Sequence, residues 1–157
     1  ISIALLHRGQ PNQAVVFDPA RNELFTASRG GGAFLNDRRI RVSGNGRYHE
    51  ALVGEHIGRS TNGVQPESMF ARMLADCGSV RRTGSTVLDM AYVAAGRLDG
   101  FGGIDLKKWD VAASGLLVLE AGGLIGDFEG EQGWMKSGNV LAATPKIFAQ
   151  MLNHLNN

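Results

Sequence analysis

The chain has 157 residues, of which 43% are apolar and 20% charged, with a formal net charge of +1. That length supports one domain with a sizeable core, and the composition is that of a globular rather than a disordered chain. The near-neutral balance gives no reason to expect a nucleic-acid or membrane partner, no apolar run approaches the roughly 20 residues of a membrane span, and the single Cys77 excludes an internal disulfide framework and suits a reducing cytoplasm.

In chain order, Ile1 to Leu6 is an apolar, β-leaning run that already reads as mid-strand. A buried strand needs neighbours, so the expectation is that further chain precedes Ile1. No signal-peptide pattern is visible. His7 to Asn12, with Gly9 and Pro11, reads as a turn. Ala14 to Phe17 and Glu23 to Ala27 read as strands, Gly30 to Gly32 as a loop, and Ala33 to Leu35 with Arg39 to Val42 as a hairpin around Asn36-Asp37. The first 45 or so residues are thus an antiparallel meander. Ser43 to His49 is a polar seam.

Beyond the seam, strands and helices alternate, which predicts an α/β layer over residues 50–157 of the same domain. Ala51 to Glu55 is a strand and Ile57 to Gln65 irregular. Pro66 to Cys77 is an amphipathic helix with Met69, Phe70, Met73, Leu74 and Cys77 on one face. Ser79 to Arg82 is a strand. Gly84-Ser85-Thr86 opens a helix that Gly96 ends. Leu98 to Phe101 is a strand, followed by a helix from Trp109-Asp110 to a glycine stop at Gly122-Gly123. Strands at Leu124 to Phe128 and Val140 to Ala143 precede a last helix, capped at Thr144-Pro145 and running through Leu155.

Two helix starts are candidates for chemistry. Asp110 lies at the positive end of a helix dipole, where a carboxylate either caps the helix or holds a hard cation. At Gly84-Ser85-Thr86, free backbone amides can bind a phosphate; Arg81 and Arg82 just before them either clamp it or are simply solvated. His7, His49, His56 and His154 show no metal-ligand spacing and read as surface or turn residues. Cys77 reads as core rather than nucleophile. Gly30 to Gly32 lacks the Lys-Ser or Lys-Thr of a P-loop, and no G-x-S-x-G is present. Asp89, Asp99, Asp105, Glu120 and Asp127 read as caps or surface charges.

Trp109-Asp110-Val111-Ala112-Ala113, followed by Glu120-Ala121-Gly122-Gly123, resembles the C-terminal signature of the inositol monophosphatase family. Gly84-Ser85, Leu88-Asp89, Ala91 to Arg97 and Asp99-Gly100-Phe101 resemble its bacterial members, and Asp18-Pro19, Glu23 to Ala27, Gly32-Ala33 and Leu35-Asn36 also fit. The resemblance covers nearly the whole chain and is poorer over His56 to Gln65. It implies the layered αβαβα sugar-phosphatase fold, incomplete at the N-terminus, and Mg²⁺-dependent hydrolysis of a phosphate monoester of inositol or a related sugar.

Carried over residue by residue, the resemblance makes Asp110 a metal ligand that also lies against substrate. It places Gly84, Ser85 and Thr86 along the substrate pocket and Arg81 near the substrate. It further implies a homodimer, and a link of bacterial members to transcription antitermination offers a non-catalytic alternative. Two departures stand out. The family's other metal ligands, an upstream glutamate and an Asp-Pro-x-Asp-Gly-Thr motif, are not in these residues, so the chain by itself is expected to be inactive. The glutamate that many members carry seven residues before the signature aspartate is here Gly103, which weakens any preference for inositol phosphate.

Overall fold

Strand alternation with a period of two governs the first forty residues. In the computed structural model, which describes residues 1–57 and 66–156, β1 (Ser2–His7), β2 (Gln10–Asp18), β3 (Glu23–Ser28), β4 (Gly32–Leu35) and β5 (Arg38–Arg39) pair in chain order as an antiparallel meander. Ala14, Val16, Phe25, Ala27 and Ala33 are buried on one face; on the other, Ile3 and Leu5 are each 61% exposed. Asn36 and Asp37 both take positive φ, 46° and 65°, as a two-residue hairpin requires.

The meander differs from the sequence reading in two places. The first turn is only Arg8-Gly9, and β2 runs from Gln10 rather than Ala14. Pro11 is tolerated inside the strand because it faces Leu6 where the register shifts between Leu5 and Leu6, so its missing N–H breaks no regular ladder. The strand expected over Arg39 to Val42 is cut to Arg38–Arg39. Beyond it the amide of Val42 donates to the carbonyl of Ala121, drawing the chain off the sheet.

The second sheet has the order β7-β6-β8-β10-β9, built from β6 (Leu52–Ile57), β7 (Ser79–Arg81), β8 (Gly100–Ile104), β9 (Leu124–Gly126) and β10 (Val140–Ala143). β6 is parallel to both neighbours; β8, β10 and β9 are antiparallel. Helices α2 (Thr86–Ala94) and α3 (Lys108–Glu120) fill the space between the two sheets, while α1 (Pro66–Ala75) and α5 (Pro145–Asn156) cover the far face of the second. The layers are therefore sheet, helices, sheet, helices. Among the described residues no helix covers the outer face of the meander, and none is long and apolar enough to cross a membrane.

This layering explains α3. A helix held between two sheets must be apolar all round, and Val111 to Val118 is buried without a break. Buried Ser114 returns its hydroxyl to the carbonyl of Asp110 at 3.1 Å. Gly115 sits where the ring of Trp134 packs, on the one-turn helix α4 (Trp134–Ser137), which the sequence reading did not foresee. At the far end Gly122 takes φ +88°, as the cap requires. Glu120 is no loose surface charge: its two carboxylate oxygens accept from the amides of Gly30 and Gly32, at 2.8 and 2.9 Å, and pin the glycine loop.

Other expectations shift in detail. The strand at Leu98 begins only at Gly100, and that at Leu124 stops at Gly126 because Asp127 Oδ1 accepts from the amides of Glu129 and Glu131 and turns the chain. Asp99 staples the seam to β6 through the amide of Leu52 at 2.8 Å and the amide of the Asn45 side chain. Asp89 is not a surface charge but is 1% exposed. Two histidines are half-buried rather than fully at the surface or in turns: His56 lies within β6, and the ring of His154 stacks on Tyr48 at 4.8 Å. Cys77 packs with the α1 and α5 core as expected, and burial pushes its thiol up. The segment from residue 58 to 65, read as irregular, and the side chains of Met69 and Phe70 lie outside the described residues.

Candidate active site

Three chain segments converge at one end of the helical layer. The end of β2 supplies Phe17, Asp18 and Pro19. The start of α2 supplies Ser85, Val87 and Leu88, and the start of α3 supplies Trp109 and Asp110. Together with Ile1, Ser2 and Val16 they enclose an open cavity of about 350 Å³. Convergence follows from packing: α2 and α3 lie side by side between the sheets, so their first turns emerge together where β2 ends.

Asp110 sits in the first turn of α3. Its Oδ2 accepts the backbone N–H of Lys107 at 2.9 Å, and Oδ1 takes no hydrogen bond among the described residues. The residue that caps the helix thus also lines the cavity, and one of its carboxylate oxygens carries the cap. Trp109 beside it is 74% exposed, at the rim.

Ser85 is the N-cap of α2, and its hydroxyl accepts the amide of Leu88 at 3.4 Å. The amides of the helix's first turn have no partner inside the helix, which leaves an anion-favouring edge on the cavity. Gly84, at φ +90°, makes the sharp entry into that turn and is exposed; Thr86 is 8% exposed, and neither it nor Gly84 lines the cavity. Of the sequence candidates the structure therefore brings Asp110 and Ser85 to one cavity, with Gly84 and Thr86 flanking.

Arg81 does not line that cavity. Its guanidinium folds back on its own strand, donating to Ser79 Oγ at 2.6 Å and to the carbonyl of Val80 at 2.9 Å. Arg82 pairs with Glu55 Oε1 at 2.9 Å and is committed to that bridge. Arg81 makes no carboxylate bridge among the described residues, so its charge is not already spent.

Asp18 is the cavity carboxylate that sequence reasoning did not single out. Burial raises its pKa, but the Arg21 guanidinium at 3.2 Å and the amides of Ala20 and Arg21 outweigh that and hold it below the ordinary aspartate value. Its oxygens are taken by the turn it caps. The Asp-Pro pair is the one signal that could have found it, and that pair reads equally as a strand end.

Gly103 lies in β8 with its missing side chain aimed at packed neighbours. A Cβ there would stand 2.5 Å from Leu106 Cδ1 and 3.0 Å from the Phe101 ring. The position does not line the cavity and offers a ligand no side-chain contact.

A hard divalent cation takes about six oxygen ligands and keeps several waters. The unclaimed oxygen of Asp110 suits one of those places. Among the described residues no group of three or more His, Cys, Asp or Glu side chains is arranged around an ion, so this chain offers one ligand and not a full set.

Comparison with known proteins bears on the whole chain. Residues 1–157 match the model of the inositol monophosphatase family. A putative Nus factor SuhB from Neisseria meningitidis serogroup B is 46% identical over 154 residues, covering 97% of this chain and 59% of that protein. An inositol-1-monophosphatase from Mesorhizobium japonicum is 43% identical over 155 residues, covering 97% and 58%. Among solved structures, the extragenic suppressor protein suhB from Bartonella henselae superimposes with a TM-score of 0.90 at 38% identity, covering 99% of this chain and 63% of that one. The chain thus spans somewhat under two thirds of the length of the relatives it matches.

Proposed function

This chain belongs to the inositol monophosphatase family, and from that premise we propose that it supplies one wall of a Mg²⁺-dependent phosphomonoesterase site. The observation that carries the reading is the meeting of Asp110 and the first turn of α2 on one cavity. The substrate class is a small phosphorylated polyol or sugar, inositol monophosphate first among them.

The residues divide the work by chemistry. Ser85 and the amides of the α2 first turn face the phosphate oxygens, where backbone N–H groups and the helix dipole favour negative charge. Arg81, released from its own strand, adds a guanidinium to the same oxygens. Asp110 offers Oδ1 to the cation while Lys107 holds Oδ2 and fixes the carboxylate's orientation. A Mg²⁺ ion held in part by Asp110 would supply the Lewis acidity to activate a water for in-line attack and to stabilise the departing alkoxide. The remaining ligands come from outside this chain's described residues, and the same reading has the protein working as a cytoplasmic homodimer. The complete gene product is expected to release phosphate from inositol monophosphate with Mg²⁺ and to lose that activity in a chelator. No phosphate release under those conditions would reject the reading.

A second reading is favoured by the name Nus factor SuhB carried by several relatives. It makes the protein a partner of the transcription antitermination machinery, using the fold to bind rather than to catalyse. An Asp-Pro-x-Asp-Gly-Thr motif encoded upstream of Ile1 supports the enzyme; a gene without it supports the binder.

A further inference from the structure

One buried ionisable group has no part in the site as described. Asp89 lies one turn into α2 and is 1% exposed, although it is a carboxylate. Its side chain forms no salt bridge among the described residues. It packs beside Gly54 of β6, where a Cβ would meet Leu98 Cδ1 at 3.1 Å and the Phe101 ring at 3.3 Å and touch the Cβ of Asp89 at 3.4 Å. A carboxylate buried without a salt bridge is costly; burial raises its pKa, and the Thr83 hydroxyl and amide and the nearby His56 oppose that shift without cancelling it. Such a residue needs a reason in what it holds.

What it holds is the turn that leads into the helix. Thr83 donates its hydroxyl to Asp89 Oδ1 at 2.7 Å, and the same hydroxyl oxygen accepts the amide of Ser85 at 3.4 Å. A chain of hydrogen bonds thus runs from the helix interior, through an exposed threonine, to the N-cap residue on the cavity. Between Thr83 and Ser85 lies Gly84 at φ +90°, a link with no side chain to brace it. Arg81 and Arg82 stand at the head of the same segment. The Asp89 carboxylate also accepts the backbone amide of Thr83, and the rest of the turn is held by the Ser85 cap at 3.4 Å, the Asp89 amide donating to the Ser85 carbonyl at 2.9 Å and the Arg82 bridge to Glu55.

We propose that Asp89 is a positioning residue for the phosphate-facing edge of the cavity, acting through the hydroxyl of Thr83 to hold the Gly84-Ser85 turn in place. This rests on the phosphomonoesterase reading for its link to turnover, but not for the positioning itself. Two readouts on the complete gene product keep them apart. D89A and T83V are expected to raise KM for inositol monophosphate about tenfold while kcat stays within about twofold. D89N and T83S, which keep the acceptor and the hydroxyl, are expected to remain within about twofold of wild type in both. In hydrogen exchange, the amides of Leu88 and Asp89, which are bonded to Ser85, are expected to exchange about tenfold faster in D89A and T83V than in wild type or D89N.

T83V alters an exposed side chain, so it carries the test if D89A fails to fold. A T83V protein with unchanged KM and unchanged exchange overturns the proposal. If the wild type turns over no phosphate monoester, the functional reading falls and the exchange data alone decide: protection unchanged in T83V overturns the positioning role, and protection lost upholds it.

Discussion

Glu23 and Arg97 show how a single pair ties the meander to the helical layer. Arg97, just past the end of α2, donates Nη1 and Nη2 to the two oxygens of Glu23 at 2.8 and 2.5 Å, and its guanidinium lies 5.1 Å from the centre of the Tyr92 ring. The paired arginine holds the Glu23 carboxyl below the ordinary glutamate value of 4.5. A carboxylate with a depressed native pKa stabilises the fold above its unfolded value and loses that contribution as pH falls through the native one. E23Q is therefore expected to cost about 0.5 kcal/mol near pH 7, the pair being partly exposed. In thermal melts the gap from wild type should stay level down to about pH 5.5 and narrow progressively below the ordinary glutamate value. At this scale the sequence offers Asp110, at a helix start, as either a cap or a cation ligand; the structure shows the cap through one oxygen and puts the residue on the cavity lining. Asp89 reads in sequence as a cap or a surface charge, because a carboxylate inside a helical pattern looks like part of a solvated face; its burial depends on the sheet packed against α2, which local pattern does not show.

Among the elements, α3 carries the fold, and its glycine is the place to test that. Alanine in a helix interior is favoured over glycine by about 1 kcal/mol. At Gly115, however, a Cβ would stand 2.8 Å from Trp134 Cη2 and 3.1 Å from Ile125 Cδ1, inside a packed core. G115A is thus expected to lower the unfolding free energy by about 1–3 kcal/mol, read as a lower urea midpoint, against its helix propensity. A neutral or raised midpoint would show that α4 gives way and that the layer is less tightly packed than described. The long periodic elements could be read from sequence because their burial pattern repeats. The one-turn α4 is too short to show a period. The extension of β2 through Pro11 was hidden because proline normally breaks a strand, and only the register shift opposite Leu6 makes room for it.

The whole molecule is a stack in which the meander and the mixed sheet clamp α2 and α3, with α1 and α5 behind. The α/β class and the order of its parts could be read from alternating patterns, and the family from the Trp109-Asp110 signature. The cavity could not, since it depends on how two helix starts and a strand end, from Asp18 to Asp110, meet in space. The outer face of the meander, with Ile3 and Leu5 exposed, belongs to the same stack. The account's central claim is that Asp110 faces a phosphate-hydrolysing cavity with an oxygen to spare for the cation. Its most direct test is the Mg²⁺-dependent release of phosphate from inositol monophosphate by the complete gene product carrying D110N. An amide keeps an oxygen for the Lys107 cap, so the fold and its melting temperature should hold, while turnover falls by about 100-fold or more; turnover equal to wild type in a folded D110N protein would contradict the claim.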